Sequence, residues 1–259
     1  MIIRTPEERA DSIEAGKRLG AILEELSHAV HPGITTKDMN ALAEKLIQEG
    51  GDGMPFKGYS PEGAPYPYPT ALCISVNDEV VHGIPSERVL KEGDIVTLDL
   101  GLTHHGIIMD SALTVPVGKT DSRSYALMDT TQAALEAGIA AARPGARVGD
   151  ISHAIEESFK GSGFSVVKIL GGHGVGRHVH EEPFIGNTGH PGTGPEILSG
   201  MVLALEPIAN AGKPHVDMLD DDYTFATRDG SRSAHFEHSI LIEDAETIVL
   251  TRRPNETGS

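Results

Sequence analysis

Apolar residues recur along this chain at two spacings, and the change from one to the other marks out the elements. Met39, Leu42, Ala43, Leu46 and Ile47 form one helical stripe, and Ile151, Ala154, Ile155 and Phe159 form another. Each stripe follows a Pro-Gly turn, in PGITTKDMNALAEKLIQEGG (32–51) and PGARVGDISHAIEESFKGSG (144–163). Thr36 and Gly149 are expected to lead into first turns that hold Asp38 and Asp150. A longer helical stretch precedes each copy, over residues 7–30 and 124–142. Segments 93–99 (GDIVTLD) and 200–206 (GMVLALE) read as matching strands, and in both a carboxylate stands six residues after the glycine; residues 71–76 form a further apolar run. Strands over 95–101 and 107–115 flank a turn at 103–106, which predicts a hairpin with Asp99 and Asp110 directly opposite each other.

The pattern is doubled. Pro, Gly, Asp and the final Gly of the two helical segments recur at a constant offset of 112, and His82-Gly-Ile-Pro85 is echoed by His180-Glu-Glu-Pro183. The reading is α+β: two pseudo-symmetric halves, 1–118 and 119–250, each with a helix pair and antiparallel strands. The linker at 117–121 is short, so the halves are expected to pack as one domain over 1–259. A site at their junction would draw residues from both. Residues 55–69 (PFKGYSPEGAPYPYP) read as a loop, either a plain surface loop or the wall of a pocket.

Composition narrows the function. The 259 residues are 39% hydrophobic and 23% charged, within the range of an ordinary globular protein. A net charge of −17 argues against binding to nucleic acid, which calls for a basic face, and against an anionic membrane surface. Cys73 is the only cysteine, so no intramolecular disulfide forms, and within the run 71–76 it reads as a small buried hydrophobe. No apolar signal segment opens the chain and no stretch approaches a membrane span, so a cytoplasmic location is expected.

Candidate chemistry sits in five segments: IVTLDLG, GIIMDSA, GGHGVG, VLALEPI and FEHSILI. They carry Asp99, Asp110, His173, Glu206 and Glu237. Each has an ordinary structural explanation on its own, such as a turn or a buried ion pair. Together they place four carboxylates and one imidazole among apolar neighbours, where an ionised carboxylate needs a partner or a metal. Oxygen-rich donors suit Mn, Co, Fe(II) or Zn. Two such ions can generate hydroxide at neutral pH and polarise a carbonyl, which makes hydrolysis the leading reaction class.

With these residues in order, the chain resembles the pita-bread metallopeptidases, and within them the type I methionine aminopeptidases. The resemblance runs through CISVNDEVVHGIP (73–85), GDIVTLDLG (93–101), GGHGVGRHVHEEP (171–183), LALEPI (203–208) and SAHFEHSILI (233–242). It implies a pita-bread fold and two divalent ions per chain, of Co, Mn, Fe(II) or Zn. Asp99 would be bidentate to one ion, Asp110 and Glu237 would bridge, and His173 and Glu206 would complete the set. It implies His82, His180 and Glu206 as catalytic residues. His82 would hold the scissile amide, His180 would donate to the carbonyl oxygen and Glu206 would relay a proton. The remaining histidines receive no role. The implied reaction is removal of initiator methionine by attack of a metal-bridging hydroxide on the first peptide bond, from chains whose second residue is small. The implied partners are peptide N-termini of nascent proteins, with room for a transient ribosome contact; a monomer is expected.

Type I is favoured because only thirty residues separate Glu206 from Glu237, leaving no space for the type II insertion. Three departures fall in the substrate pocket. Val179 replaces a usual Phe before the second histidine, Tyr223 replaces a Trp, and 62–68 lacks the usual Cys-Tyr-His pattern although Tyr68 fits. Two other functions stay open. One is a same-fold aminopeptidase of different N-terminal specificity or an Xaa-Pro peptidase. The other is a non-catalytic binding module, from which retention of all five residues and both histidines argues away.

Overall fold

Four helices pack against an antiparallel sheet in the computed structural model, which describes residues 1–61 and 63–256. The helices are α1 (Pro6–Ala29), α2 (Thr36–Glu49), α3 (Ser122–Ala141) and α4 (Val148–Ser158). The strands of the first part of the chain are β1 (Leu72–Val76), β2 (Glu79–Val81), β3 (Ile95–His104) and β4 (Ile107–Pro116). Those that follow are β5 (Ser165–Val166), β6 (Gly171–Gly174), β7 (Glu181–Gly186), β8 (Val202–Leu205), β9 (Ile208–Asn210), β10 (Val216–Met218), β11 (Phe225–Thr227), β12 (Ser233–His235), β13 (Glu237–Ile242) and β14 (Thr247–Val249). The main sheet runs β1-β3-β4-β13-β8-β6-β7, with β14 on β13, so strands from both ends of the sequence meet at β4 and β13. Two three-stranded sheets, β10-β11-β2 and β12-β9-β5, flank it. Among the described residues no helix is long and apolar enough to cross a membrane.

Local chemistry starts the helices, though not quite where the spacing placed the caps. The cap of α2 is Thr35, one residue before the expected Thr36; its hydroxyl accepts from Asp38 N–H at 3.0 Å. Thr36 lies inside the helix and spends its hydroxyl on Ser86 O at 3.0 Å. The α4 cap is Arg147, not Gly149, and Arg147 N–H donates to Asp150 Oδ2 at 2.7 Å. Gly149 serves packing instead, since a Cβ there would collide with His190 O and Thr193 Oγ1. Met39, Ala43, Ile47, Ile151, Ile155 and Phe159 from the predicted stripes are buried. Leu42, Leu46 and Ala154 are half-buried at the stripe edges.

The β3–β4 hairpin differs from expectation in register. Its turn is the two-residue His105-Gly106, with φ of +48° and +82°, as in tight hairpin turns that match strand twist. The hairpin axis therefore lies one residue later than a 103–106 turn would put it. Asp99 faces Ala112 and Asp110 faces Gly101, so the aspartates are diagonal neighbours, not direct partners. A two-residue offset preserves the face, because side chains alternate with period two. Both aspartates still share one surface.

The core lies on the other surface of β3. Val96, Leu98, Leu100 and Leu102 alternate with Thr97, Asp99 and Gly101 and join Leu19, Leu23 and Leu26 of α1 in one apolar cluster. Helix α1 meets the chain near its end at glycine. A Cβ on Gly16 would lie 2.6 Å from the Leu250 carbonyl carbon and 2.7 Å from Leu250 Cβ. Gly16→Val is therefore expected to lower stability by about 1–3 kcal/mol through overpacking. Urea unfolding measures this, and an unchanged midpoint would show that α1 does not rest on Leu250.

Candidate metal centre

Register brings the five singled-out residues to one face of five neighbouring strands, β3-β4-β13-β8-β6, with Glu206 one residue past the end of β8. A single row crosses the sheet: Cys73 pairs with Asp99, Asp99 with Ala112, and Ala112 with Glu237. Because His238 pairs with Leu205, the same row continues toward Glu206, one residue past β8. His173 pairs with Ala204, two residues before Glu206 and hence on the same face. Asp110 stands two residues from Ala112 and completes the set. The methyl of Ala112 in mid-row leaves room for the longer acids around it.

Backbone clips hold this face still. Ser239 Oγ accepts from Asp110 N–H at 3.0 Å and donates to Asp110 O at 2.8 Å, while Ser111 Oγ donates to Glu237 O at 2.7 Å. His173 Nδ1 donates to Gly174 O at 2.9 Å, which fixes the tautomer and leaves Nε2 without its proton. That nitrogen lies 3.7 Å from Glu206 Oε1 and 4.0 Å from Asp110 Oδ2. Donor atoms of Asp110, His173 and Glu237 all lie within 4.8 Å of one another. Gly172 is required by this packing, since any Cβ would run into Ala204 O of β8.

Electrostatically the cluster is unfinished. Burial first, and then mutual repulsion, raises the carboxyl pKa values of Asp110, Glu206 and Glu237 well above their ordinary range; burial likewise raises Asp99 to about 7. Burial lowers His173 to about 3 and His82 to about 4, in each case with His180 adding to the effect. The short approaches between imidazole and carboxyl are therefore not ion pairs. Asp99 Oδ1, Asp110 Oδ1 and Glu237 Oε1 are buried with no hydrogen-bond partner. Unpartnered buried oxygens beside a neutral imidazole fit divalent cations, in donor type and in charge.

A cavity of about 160 Å³ opens over the cluster and is lined by all five residues. The other predicted site residues His82, His180, Tyr68, Val179 and Tyr223 line it too. His82 follows β2 with φ +59°, its ring edge-on to Phe225. His180 stands edge-on to His173 with ring centroids 4.5 Å apart. Tyr68 Oη donates to Gly83 O at 2.9 Å, beside His82, and its ring stands edge-on to Tyr223 at 5.1 Å. Burial of Cys73 is as expected, but it also forms cavity wall.

Three further lining residues, to which the sequence pattern gives no individual role, shape the site. Phe56 sits over Gly101, where a Cβ would come within 2.7 Å of its ring, so Gly101 makes space for an aromatic wall beside the carboxylates. Tyr59 Oη hydrogen-bonds His180 Nδ1 at 2.9 Å. Both come from the 55–69 loop, which is the pocket wall among its described residues; Glu62, at the head of the departure over 62–68, lies outside them. The third is His235, buried 3.6 Å from Glu206 Oε2 and 3.7 Å from Glu237 Oε2. Its signal was position, two residues before Glu237 in a strand pattern. By contrast His104 and His105 pair with Asp52 and Asp11, and His238 with Thr251 and Glu256, all away from the cavity.

The chain resembles known proteins over nearly its whole length. Residues 12–244 match the model of metallopeptidase family M24. Methionine aminopeptidase 1 of Bacillus subtilis is 42% identical over 252 residues, covering 97% of this chain and 99% of that protein. Methionine aminopeptidase 1 of Mycobacterium tuberculosis is 40% identical, covering 92% of this chain and 90% of its own. The crystal structure of methionine aminopeptidase from Thermotoga maritima superposes with a TM-score of 0.92 at 42% identity, over 98% of this chain and all of that one. The prolidase from Pyrococcus horikoshii shares the fold at a TM-score of 0.74 and 19% identity, and only 65% of its chain is covered.

The raised carboxyl values give a pH prediction. An unfolded carboxyl titrates near ~4 and an unfolded imidazole near ~6.5. Above ~6.5 the histidines are neutral in both states, while the folded, metal-free cluster still holds protons that the unfolded chain has lost. Stability of chelator-stripped protein should therefore fall as pH rises from about 6.5 to 8, and saturating Mn or Zn should remove the fall. Thermal melts at the two pH values measure it; a stripped protein whose melting temperature does not fall between them would contradict the cluster's assigned protonation.

Proposed function

This chain belongs to metallopeptidase family M24, and from that footing we propose that it is a methionyl aminopeptidase, a metal-dependent exopeptidase that removes the N-terminal methionine of nascent proteins. The observation that carries the reading is the meeting of five donors, with unpartnered buried oxygens, at the floor of one cavity whose side wall is apolar. Its architecture is the pita-bread α+β fold of the methionine aminopeptidase and prolidase structures it superposes on. Asp99, Asp110, His173, Glu206 and Glu237 would hold two divalent ions of the Mn, Co, Fe(II) or Zn kind. Bound there, such a pair activates water and polarises a scissile carbonyl.

The chain's own groups divide the remaining work. Glu206 is the proton carrier: its side chain keeps 14% exposure against 5% for Asp110 and 3% for Glu237, so of these three cavity-lining acids it is the most open to the cavity. His180 is the donor to the scissile carbonyl oxygen. This role uses the tautomer in which the Tyr59 hydroxyl, 2.9 Å from Nδ1, donates to it and the imidazole proton stands on Nε2 for the substrate. His82, which lines the same cavity, holds the scissile amide. Burial keeps both imidazoles neutral, so each can donate or accept without a charge to neutralise.

The methionine side chain fits the apolar wall. Phe56, Tyr68, Cys73, Val179 and Tyr223 form one small buried cluster there, and a polarisable thioether packs well against aromatic edges. Val179 and Tyr223 are the positions where this wall differs from the type I pattern. All five metal donors come from one chain, so a monomer suffices. Nascent chains leaving the ribosome would be the substrates, and a cytoplasmic location follows from them.

The direct test is hydrolysis of Met-Ala-Ser against Leu- and Pro-containing control peptides, using stripped protein reloaded with Mn, Co, Fe(II) or Zn. Metal-dependent release of methionine is expected, with the controls cut at least about tenfold more slowly, as for loss of a fitted side chain. Faster Xaa-Pro cleavage would overturn the methionine reading. Asp99→Ala is expected to lower kcat/KM by about a thousandfold or more and to reduce the ions bound per chain, while circular dichroism stays native. Wild-type turnover by that variant would refute the site.

A further inference from the structure

We propose that His235 is a sixth protein ligand, giving the ion on the His173–Glu206 side a second imidazole. The inference rests on the metal centre proposed above and adds to it a donor outside the five-residue set. His235 is 1% exposed, yet among the described residues neither of its ring nitrogens has a hydrogen-bond partner. Buried polar groups are almost always satisfied, so an imidazole with two orphaned nitrogens calls for a missing partner.

Its position is built rather than incidental. Thr114 Oγ1 accepts from His235 N–H and donates to His235 O, each at 2.9 Å, and Thr97 Oγ1 lies 2.8 Å from the same hydroxyl. Those threonines stand on the site face of β3 and β4, so the strand that carries the imidazole is bolted beside the carboxylates. His235 and Glu237 stand on either side of Phe236, at the end of β12 and the start of β13, and their side chains approach to 3.7 Å.

The distances select a ligand over a hydrogen-bond donor. His235 Nε2 lies 3.6 Å from Glu206 Oε2 and 3.7 Å from Glu237 Oε2, beyond hydrogen-bond reach. Two donors each about 2.1 Å from a shared ion, at tetrahedral to trigonal angles, sit roughly 3.4–3.6 Å apart. His173 Nε2, whose role in the five-donor set is the same, stands 3.7 Å from Glu206 Oε1. The two imidazoles thus approach opposite oxygens of one carboxylate at the same range. A second nitrogen donor shifts preference toward Zn, Co and Fe(II) and away from Mn, which favours oxygen.

The test is a crystal structure of the wild-type protein loaded with Zn, together with Zn/Mn competition in solution. The expected result is an ion within about 2.0–2.3 Å of His235 Nε2, and a Zn-over-Mn preference that falls about tenfold in His235→Gln. A His235 that only supports the fold would weaken both ions equally in the variant. Zn bound among the carboxylates with His235 Nε2 farther than about 3 Å, or bridged to it by water, overturns this inference alone. Protein that takes up no divalent ion overturns it together with the metal centre. The wild-type crystal decides the matter even if the variant fails to fold.

Discussion

Carboxyl groups lose solvation when buried and repel one another when ionised, and this molecule sets four of them side by side on one sheet face. Asp99, Asp110, Glu206 and Glu237 come from β3, β4, the end of β8 and β13, with Ala112 leaving space in their midst. Among the described residues nothing neutralises them, since the nearby imidazoles are neutral and three carboxyl oxygens have no partner. The arrangement is one that a divalent cation completes. Much of the surrounding structure can be understood as what such a strained cluster needs: Ser111 and Ser239 clipping β4 to β13, glycines admitting close backbone approach, and a dry aromatic wall alongside.

The same constraint explains how function is divided around the cavity. The proposed donors sit on the sheet, held by its backbone register. The proposed side-chain pocket is carried instead by the 55–69 loop with Val179 and Tyr223, elements apart from those that carry the donors. Tyr59 links the two parts by reaching from that loop to His180. Specificity can then drift while the chemistry holds, which suits a chain whose departures from the type I pattern fall in the wall.

Much of this was legible in the sequence because period-two alternation survives small errors of register. The hairpin turn was centred one residue early, so Asp99 and Asp110 were expected as direct partners when they are diagonal ones. The error moved a strand by an even number of residues and left both on the right face. The helix caps shifted for a different reason: Thr36 found a longer-range partner in Ser86 O, and Gly149 answers to the His190–Thr193 loop. What could not be read were contacts between residues far apart in the chain. Tyr59 meets His180 across 121 residues. His235 was passed over among several histidines, although its place two residues before Glu237 set it apart from His238, which points to the opposite side and is satisfied by Thr251 and Glu256.

The central claim is that the fold gathers carboxyl groups which stay protonated until a cation replaces the protons. Calorimetric titration of Mn into stripped protein near neutral pH, repeated in buffers of different ionisation enthalpy, counts ions bound and protons released together. The account predicts two ions per chain and net proton release on binding. Binding without proton release, or no binding at all, would contradict it.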